Sequence, residues 1–306
     1  YKKGRLMAKV LGKPFGKVCS VVLAVLLLLG VAFAFVGCES DYPQIRITLT
    51  FVDDDADTGD TYVLNYRLNR KMYKQTVNHY IELIDAGFYD GTVIHDYRSD
   101  RMVGGGYTYE DTENADYLND LVSLADKYDA LDLTPSVWAD SSYSEALNTL
   151  YGETTANGLD IDGDGGYSNE RGALGTYTYL TRSDLPSENP MVYAHATKDN
   201  SDRTVRYQYN AVTSLFYLYT GSDASADSNY CVFGVLADDD SRTRFDELLS
   251  AIDAYETALE ENDETFTDTT DMRIDDPMAE FGYYDAEFTV PVHTAIVITS
   301  VEVTSY

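Results

Sequence analysis

The segment 87–106 (GFYDGTVIHDYRSDRMVGGG) constrains the fold more than any other stretch of this sequence. Gly87 ends the apolar pattern that precedes it, and the residues that follow are typical of a tight turn. An apolar run with His95 near its end then indicates a strand. The three glycines 104–106 mark a place where a second backbone or a ligand can approach closely. The segment therefore predicts a turn, a strand and a close backbone contact in immediate succession.

Periodic apolar residues predict a sheet that is accompanied by two helices. Residues 74–86 and 245–258 carry apolar side chains at helical spacing. Residues 42–52, 62–68 and 295–303 are rich in the apolar and β-branched residues of strands. The 27 tyrosines also favour sheet, because Tyr joins a high strand propensity to a polar tip. The chain is predicted to be mainly β.

The order of these motifs resembles that of the cyclophilin family of peptidyl-prolyl isomerases. Besides 87–106, the segments 169–176 (NERGALGT), 214–218 (SLFYL) and 229–236 (NYCVFGVL) are similar to three segments of that family. They follow one another in the family's order, separated by stretches with no counterpart. This order is more specific to the family than any single motif.

The resemblance implies a fold for residues 42–306. It is a mainly β fold with capping helices, a closed antiparallel cyclophilin-like β-barrel with two helices and polar or helical insertions. The insertions are expected at about 110–165 and about 183–210. Within the first of them, weak apolar stripes predict short helices over 116–128 and 141–150.

The resemblance also implies a reaction, the cis–trans isomerisation of X-Pro peptide bonds. The barrier of about 20 kcal/mol arises from the partial double-bond character of the amide. Its catalysis requires no cofactor, but it requires an apolar pocket for the proline ring and a donor that stabilises the twisted amide. The expected partners are therefore proline-containing segments of extracytoplasmic polypeptides.

At the family's catalytic position this sequence departs from the pattern. Cyclophilins place an arginine directly after the strand histidine, whereas here Asp96 follows His95. Strand alternation puts Arg98 on the same face as Asp96, and Arg101 occupies another position of the pocket wall. Either guanidinium is a candidate donor to a prolyl carbonyl. The alternative is that the two arginines pair with Asp96 and Asp100.

Three further residues are candidates for the pocket. Met102 is retained from the family's pattern, Tyr217 stands for a phenylalanine and Tyr230 for a histidine. The tyrosine hydroxyls can assist as hydrogen-bond donors. The candidate catalytic residues are thus Arg98, Arg101, Met102, Tyr217 and Tyr230. The alternative function is a catalytically inactive cyclophilin-like module that binds peptides or proteins at the cell surface.

A separate motif, DIDGDG at 160–165, matches the first half of a calcium-binding loop. Asp160, Asp162 and Asp164 take the positions of the first three ligands, and a glycine follows them. Arg171 stands where the loop's bidentate glutamate is expected. The motif is consistent with a structural calcium ion, and the alternative is a solvated Asp-Gly turn.

The N-terminal residues 1–37 have the layout of a bacterial signal peptide. Six basic residues and no acidic one occur there, and the run 18–36 is uncharged. The sequence FVGC that ends at Cys38 resembles a lipobox, which implies that Cys38 is lipidated. The alternative is an uncleaved membrane anchor, because about 19 apolar residues can just span a bilayer. Both interpretations place the protein on the extracytoplasmic face of a bacterial cell membrane.

The charge of the remaining chain excludes one class of partner. All 52 acidic residues lie after residue 37, together with 16 of the 22 basic residues, which leaves a net charge of −36 there. A surface so acidic repels phosphate backbones. Nucleic acid is therefore not an expected partner.

Overall fold

The structure is a computed structural model, and its elements follow the predicted order closely. It describes residues 40–52, 59–110, 116–131, 137–139, 150–155, 165–179, 191–196, 201–206, 211–222, 229–275 and 283–306. In these residues the strands are β1 Gln44–Val52, β2 Asp60–Leu68, β3 Thr92–Val93, β4 Asp96–Arg98, β5 Arg101–Gly104, β6 Tyr107–Tyr109, β7 Leu121–Ser123, β8 Val137–Ala139, β9 Leu150–Tyr151, β10 Leu174–Thr176, β11 Met191–Ala196, β12 Ser201–Arg206, β13 Ala211–Val212, β14 Phe216–Tyr219, β15 Val232–Leu236, β16 Thr267–Asp275, β17 Tyr283–Pro291 and β18 Ala295–Ser305. The helices are α1 Lys74–Asp85, α2 Ala125–Asp129 and α3 Asp239–Glu260.

Nine antiparallel strands form one curled sheet in the order β3-β18-β1-β2-β15-β10-β14-β5-β4. Its two edge strands, β3 and β4, are consecutive pieces of one extended segment. Between them, the Ile94 N–H donates to the Ile296 carbonyl at 2.9 Å, and the His95 N–H donates to the Val103 carbonyl at 3.0 Å. In the described residues no ladder joins β3 to β4, so the two edges of this sheet are not paired with each other. The expected closed barrel is corrected to a half-barrel sheet.

Helix α1 packs an apolar stripe against the main core, as its spacing predicts. Val77, Tyr80, Ile81 and Ile84 are all buried. The helix ends where Gly87 adopts a positive φ of 63° and donates its N–H to the Ile84 carbonyl at 2.9 Å. Glycine is suited to this left-handed conformation, so the sequence sets both the face and the end of the helix.

Helix α3 begins earlier than its apolar pattern indicates. Phe245, Leu248 and Ile252 form the buried stripe. The helix already starts at Asp239, because the Asp238 carboxylate accepts a hydrogen bond from the Ser241 N–H at 2.7 Å. Such a cap satisfies one of the unpaired N–H groups of the first turn and adds helical residues before the stripe.

The first insertion contains less helix than its sequence predicts. In 116–128, Leu121–Ser123 is a strand that pairs with β6, and only Ala125–Asp129 is helical. The prediction was wrong because β6 offers an open edge and because the Asp120 carboxylate holds a turn through the Asp116 N–H at 2.8 Å. Of the helix predicted over 141–150, residues 141–149 lie outside the described residues, and Leu150 belongs to β9.

Two hairpins decorate the sheet. Strands β11 and β12 pair within the second expected insertion, and β8 extends them to three strands. Strands β16 and β17 form a two-stranded hairpin between α3 and β18, in register from Thr267↔Pro291 to Asp275↔Tyr283. This last hairpin has no counterpart among the expected elements. No helix in the described part of the chain is long and apolar enough to cross a membrane.

Candidate functional site

Strand pairing places Arg101 beside two tyrosine rings on the face of the sheet opposite the main core. Strands β5 and β14 pair Arg101 with Tyr219 and Val103 with Tyr217, so Arg101 and Tyr217 are diagonal neighbours. The guanidinium carbon of Arg101 lies 4.8 Å from the ring centroid of Tyr217 and 5.4 Å from that of Tyr230. Both distances lie within the range of a cation–π interaction.

The position of the Tyr217 ring depends on a missing side chain. Gly175 lies directly opposite Tyr217 on β10, and a Cβ atom there would lie 2.3 Å from Cζ of the ring. The ring is fully buried, and its hydroxyl donates to Oδ1 of Asn169 at 2.6 Å. Tyr217 is therefore fixed in place, and its hydroxyl is directed inward to Asn169.

Four tyrosines form a continuous surface that we call the aromatic wall: Tyr177, Tyr179, Tyr217 and Tyr230. The rings of Tyr177 and Tyr230 are stacked with their centroids 5.3 Å apart. Tyr179 meets Tyr177 edge-on at 5.0 Å, and Tyr217 meets Tyr230 in the same manner at 5.7 Å. These are the favoured geometries of aromatic pairs, and they give the wall a defined shape.

The carboxylate of Asp100 holds one side of the Arg101 guanidinium. Nε and Nη2 of Arg101 donate to the two Asp100 oxygens at 2.9 and 2.7 Å. The Arg101 side chain is 15 % exposed and that of Asp100 is 43 % exposed. Hydrogen bonding from Arg101 lowers the pKa of Asp100. Burial alone would lower the pKa of Arg101, but Asp100 raises it above its ordinary value, so the cation is permanent.

Arg98 is engaged with Asp96 at the neighbouring edge. Arg98 Nε donates to Oδ2 of Asp96 at 2.7 Å, and Arg98 Nη2 donates to the Glu287 carbonyl at 3.1 Å. The same Asp96 oxygen accepts from the Tyr179 hydroxyl at 3.0 Å, and Oδ1 accepts from the Thr289 N–H at 3.0 Å. Asp96 has no exposed side-chain surface, whereas Arg98 is 38 % exposed. We call this cluster of Asp96, Arg98 and Tyr179 the Asp96 edge.

His95 completes the Asp96 edge as a neutral residue. Its Nε2 atom lies 3.0 Å from the Tyr179 hydroxyl. That hydroxyl donates to Asp96, which makes Nε2 the donor toward Tyr179. Burial lowers the pKa of His95 to about 3. The histidine therefore acts as a hydrogen-bonded structural residue, not as a general base.

The structure brings together only part of the expected catalytic set. Arg101, Tyr217 and Tyr230 meet on the aromatic wall, whereas Arg98 is directed to Asp96 and only approaches the Tyr179 ring, at 5.9 Å. Met102 is fully buried in the main core, on the opposite face of β5. Its position follows from alternation, since its neighbours 101 and 103 face the wall.

Two further expectations fall on residues that are not described. Asp160, Asp162 and Asp164 of the calcium motif and the lipidated Cys38 lie outside the described residues. Among the residues that are described, no group of three or more His, Cys, Asp or Glu side chains is arranged to hold a metal ion. The calcium and lipid predictions both stay open.

Tyr177, Tyr179 and Asn169 belong to the site but were not among the expected residues. A signal for the two tyrosines is present in the sequence, because 175, 177 and 179 have the same parity and lie on the same face of an extended strand. No local pattern marks Asn169, which meets Tyr217 across 48 residues of chain.

Comparison with known proteins gives matches only among solved structures. No protein-family model matches the sequence, and no curated protein matches it. One similar structure is a cyclophilin-type peptidyl-prolyl cis-trans isomerase of Cryptosporidium parvum, with 12 % identity and a TM-score of 0.38 over 87 % of this chain and 99 % of that one. Another is that type of isomerase from the same organism in the presence of the dipeptide Ala-Pro, with 13 % identity, a TM-score of 0.36 and coverage of 86 % and 99 %.

Proposed function

We propose that the chain is a peptidyl-prolyl cis–trans isomerase-like protein with weak turnover, acting on proline-containing segments of extracytoplasmic polypeptides. The observation that carries the proposal is the placement of the Arg101 guanidinium 4.8 Å from the Tyr217 ring and 5.4 Å from the Tyr230 ring. Isomerisation needs an apolar surface for the proline ring and a donor beside it. The aromatic wall and Arg101 offer these two components side by side.

In this mechanism no bond other than the amide's partial double bond is broken, and no proton moves. The proline ring packs against the partly exposed ring of Tyr230. As the C–N bond twists, conjugation is lost and charge shifts between the prolyl nitrogen and the preceding carbonyl. The Arg101 guanidinium stabilises that charge. Turnover is weak because Asp100 already takes two of the guanidinium's donors.

The second candidate is the catalytically inactive module that binds peptides or proteins on the same face. A specific observation favours it, namely that Arg98 and Arg101 both hold carboxylates of this chain. In addition, the position of the family's catalytic arginine is taken by Asp96, which is buried and accepts three hydrogen bonds. On this candidate, proline-containing segments bind without faster isomerisation.

A proline-isomer assay on the full chain separates the two candidates. We expect a rate above the uncatalysed one for wild type, a loss of most of that excess in Arg101→Ala, and a partial loss in Arg101→Lys. Arg46→Ala is the matched control, because Arg46 forms an exposed ion pair with Glu302 at 3.8 Å. Binding without an excess rate would leave the inactive module. Neither binding nor an excess rate would contradict both candidates.

The location of the protein is part of the proposal and rests on the N-terminal sequence. The basic and then apolar layout of 1–37 and the FVGC motif support lipidation of Cys38 at the extracytoplasmic face of the bacterial cell membrane. Labelled palmitate should enter wild type and not Cys38→Ser. Membrane association of an unlabelled wild type would instead indicate the transmembrane anchor.

A structural calcium ion at Asp160, Asp162 and Asp164 is a further proposal from the sequence motif. Calcium should raise the melting temperature of wild type relative to a sample with chelator. The rise should disappear in Asp160→Ala, which removes the carboxylate of the first ligand. An equal melting temperature with calcium and with chelator would contradict the site.

A further inference from the structure

Three successive residues of the β16–β17 hairpin bind the Asp96 edge. The Glu287 carbonyl accepts from Arg98 at 3.1 Å, and the Thr289 N–H donates to Asp96 at 3.0 Å. Between them, Phe288 is fully buried, and its ring is stacked on that of Tyr179 with centroids 4.7 Å apart. The Asp96 edge thus contacts the hairpin through one carboxylate, one guanidinium and one ring, beside the apolar cluster in which Phe288 and Val290 are buried.

The same edge supports the aromatic wall from the other side. Tyr179 donates its hydroxyl to Asp96 at 3.0 Å and meets Tyr177 edge-on at 5.0 Å. Tyr177 is stacked on Tyr230, and Tyr230 lies under the Arg101 guanidinium. A row of three tyrosines therefore connects Asp96 to Arg101 by direct contact.

We propose that Asp96 is a positioning residue, which holds the β16–β17 hairpin and the aromatic wall in one arrangement and thereby places the Arg101 guanidinium. Asp96 can do this because its two oxygens face different elements. Oδ1 accepts from the hairpin, and Oδ2 accepts from Tyr179 and Arg98. If the hairpin detaches, Phe288 no longer covers the Tyr179 ring. The Tyr179 ring can then change its angle against Tyr177.

The consequence for ligands rests on the proposed function, whereas the placement of Arg101 does not. A wall held in one shape presents Tyr230 and Arg101 to a proline-containing segment without a further ordering cost. Loss of that order should weaken binding of such a segment about threefold to tenfold, the size of typical couplings through packed side chains.

A matched pair of substitutions at Thr289 tests the proposal. Thr289→Pro removes the N–H that donates to Asp96, and this N–H points away from β16, so the hairpin ladder keeps its own hydrogen bonds. Thr289→Ala keeps the N–H. The first readout is the NMR signal of the Arg101 Nε–H group in the full chain without peptide, because ring currents of Tyr217 and Tyr230 act on it. The second readout is the affinity for an Ala-Pro-containing peptide.

We expect the Arg101 signal to shift in Thr289→Pro and to stay in place in Thr289→Ala, with the affinity falling only in the former. An unchanged Arg101 signal in a folded Thr289→Pro protein would overturn the proposal. If that variant does not fold, Tyr179→Phe replaces it, since it removes the hydroxyl bound to Asp96 and keeps the ring on Phe288. An Arg101 shift without peptide binding by wild type would uphold the positioning role and contradict the proposed function alone.

Discussion

Two regions of the molecule each pair an arginine with an aspartate: the Asp96 edge, and the region of Arg101, Asp100, Tyr217 and Tyr230, which we call the Arg101 face. The burial of the two partners is reversed between them. At the edge the carboxylate is buried and the guanidinium reaches solvent, whereas at the face the guanidinium is covered by rings and the Asp100 side chain is 43 % exposed. The two arginines are even direct partners in the β4–β5 ladder. A buried acid must keep its partners to stay charged, but an exposed acid can be exchanged for another acceptor. We therefore expect the edge to act as a support, and the proposed ligand to bind at the face.

The largest expected difference between the two regions is in stability. Asp96→Ala removes the acceptor of three hydrogen bonds, including the carboxylate that Arg98 binds, and leaves Arg98 its bond to the Glu287 carbonyl. It should lower the free energy of unfolding by about 3–5 kcal/mol, nearer 3 because Arg98 still reaches water. Urea unfolding measures the loss. Asp285→Ala is the control, because its exposed pair with Arg273 at 4.0 Å is worth at most about 0.5 kcal/mol. Equal losses in the two variants would contradict the claim that the buried Asp96 stabilises the fold more than an exposed aspartate does.

Between about pH 7.5 and about pH 5, His95 should give the edge a pH dependence of its own. His95 has a pKa of about 3 in the folded protein and an ordinary value of 6.5 in the unfolded chain, so the unfolded state binds the proton first as pH falls. His95 therefore makes the free energy of unfolding fall as the pH falls through 6.5. The fall is about 2 kcal/mol between about pH 7.5 and about pH 5. Unfolding of His95→Gln should depend less on pH by that amount. Parallel pH curves for the two proteins would rule out the neutral, buried histidine.

The face should respond most to a change in its shape. Gly175→Ala places a Cβ atom within 2.3 Å of the Tyr217 ring and must displace it. We expect a cost of about 1 kcal/mol, at the low end for overpacking, because Arg101 and Tyr230 beyond the ring are partly exposed and can yield. The Arg101 signal in NMR should shift as well. Gly175→Ala should cost less in a Tyr217→Leu background than in wild type, and an equal cost in the two backgrounds would contradict this cause.

The smallest expected change in stability is at Asp100. Asp100→Asn removes the charge of Asp100 but keeps one oxygen that can accept from Arg101, so the free energy of unfolding should fall by less than about 1 kcal/mol. Its effect should appear in function, because the Arg101 guanidinium loses a competing charge, and the excess isomerisation rate should rise. Asp285→Asn is the matched control for the change in net charge. A lower rate in Asp100→Asn would mean that Asp100 places Arg101 and does not compete for it.

Local pattern predicts the frame of this fold, because strands and helices along the curled sheet show their own periodicity. The stripe of Val77, Tyr80 and Ile84 and the alternation of β1 depend only on neighbours in sequence. The helix predicted over 116–128 was wrong since pairing with β6, which no local pattern shows, decides that segment. The closed barrel was expected from resemblance, whereas the described strands form a half-barrel sheet in which no ladder joins β3 to β4.

The candidate site was predictable where its contacts are short in sequence. Arg101 and Asp100 are adjacent, and alternation alone assigns residue 102 to the core. The contact between Asp96 and Thr289 spans 193 residues. The burial of Asp96, which makes this hydrogen bond important for stability, arises only when the chain folds. Long-range hydrogen bonds of this kind leave no periodic trace in a single sequence.

The segment that links the two sheet edges has a consequence for the order of folding. Ile94 binds β18, about two hundred residues later in the chain, and His95 binds β5, only a few residues away. The contact with β18 requires the closure of a long loop, which costs conformational entropy before the contact stabilises the sheet. We therefore expect it to form late in folding. Substitutions that weaken it should speed unfolding and leave the folding rate nearly unchanged, with a chevron plot moving on its unfolding arm alone. The sheet would then open first at the pairing of this segment with β18, which forms last.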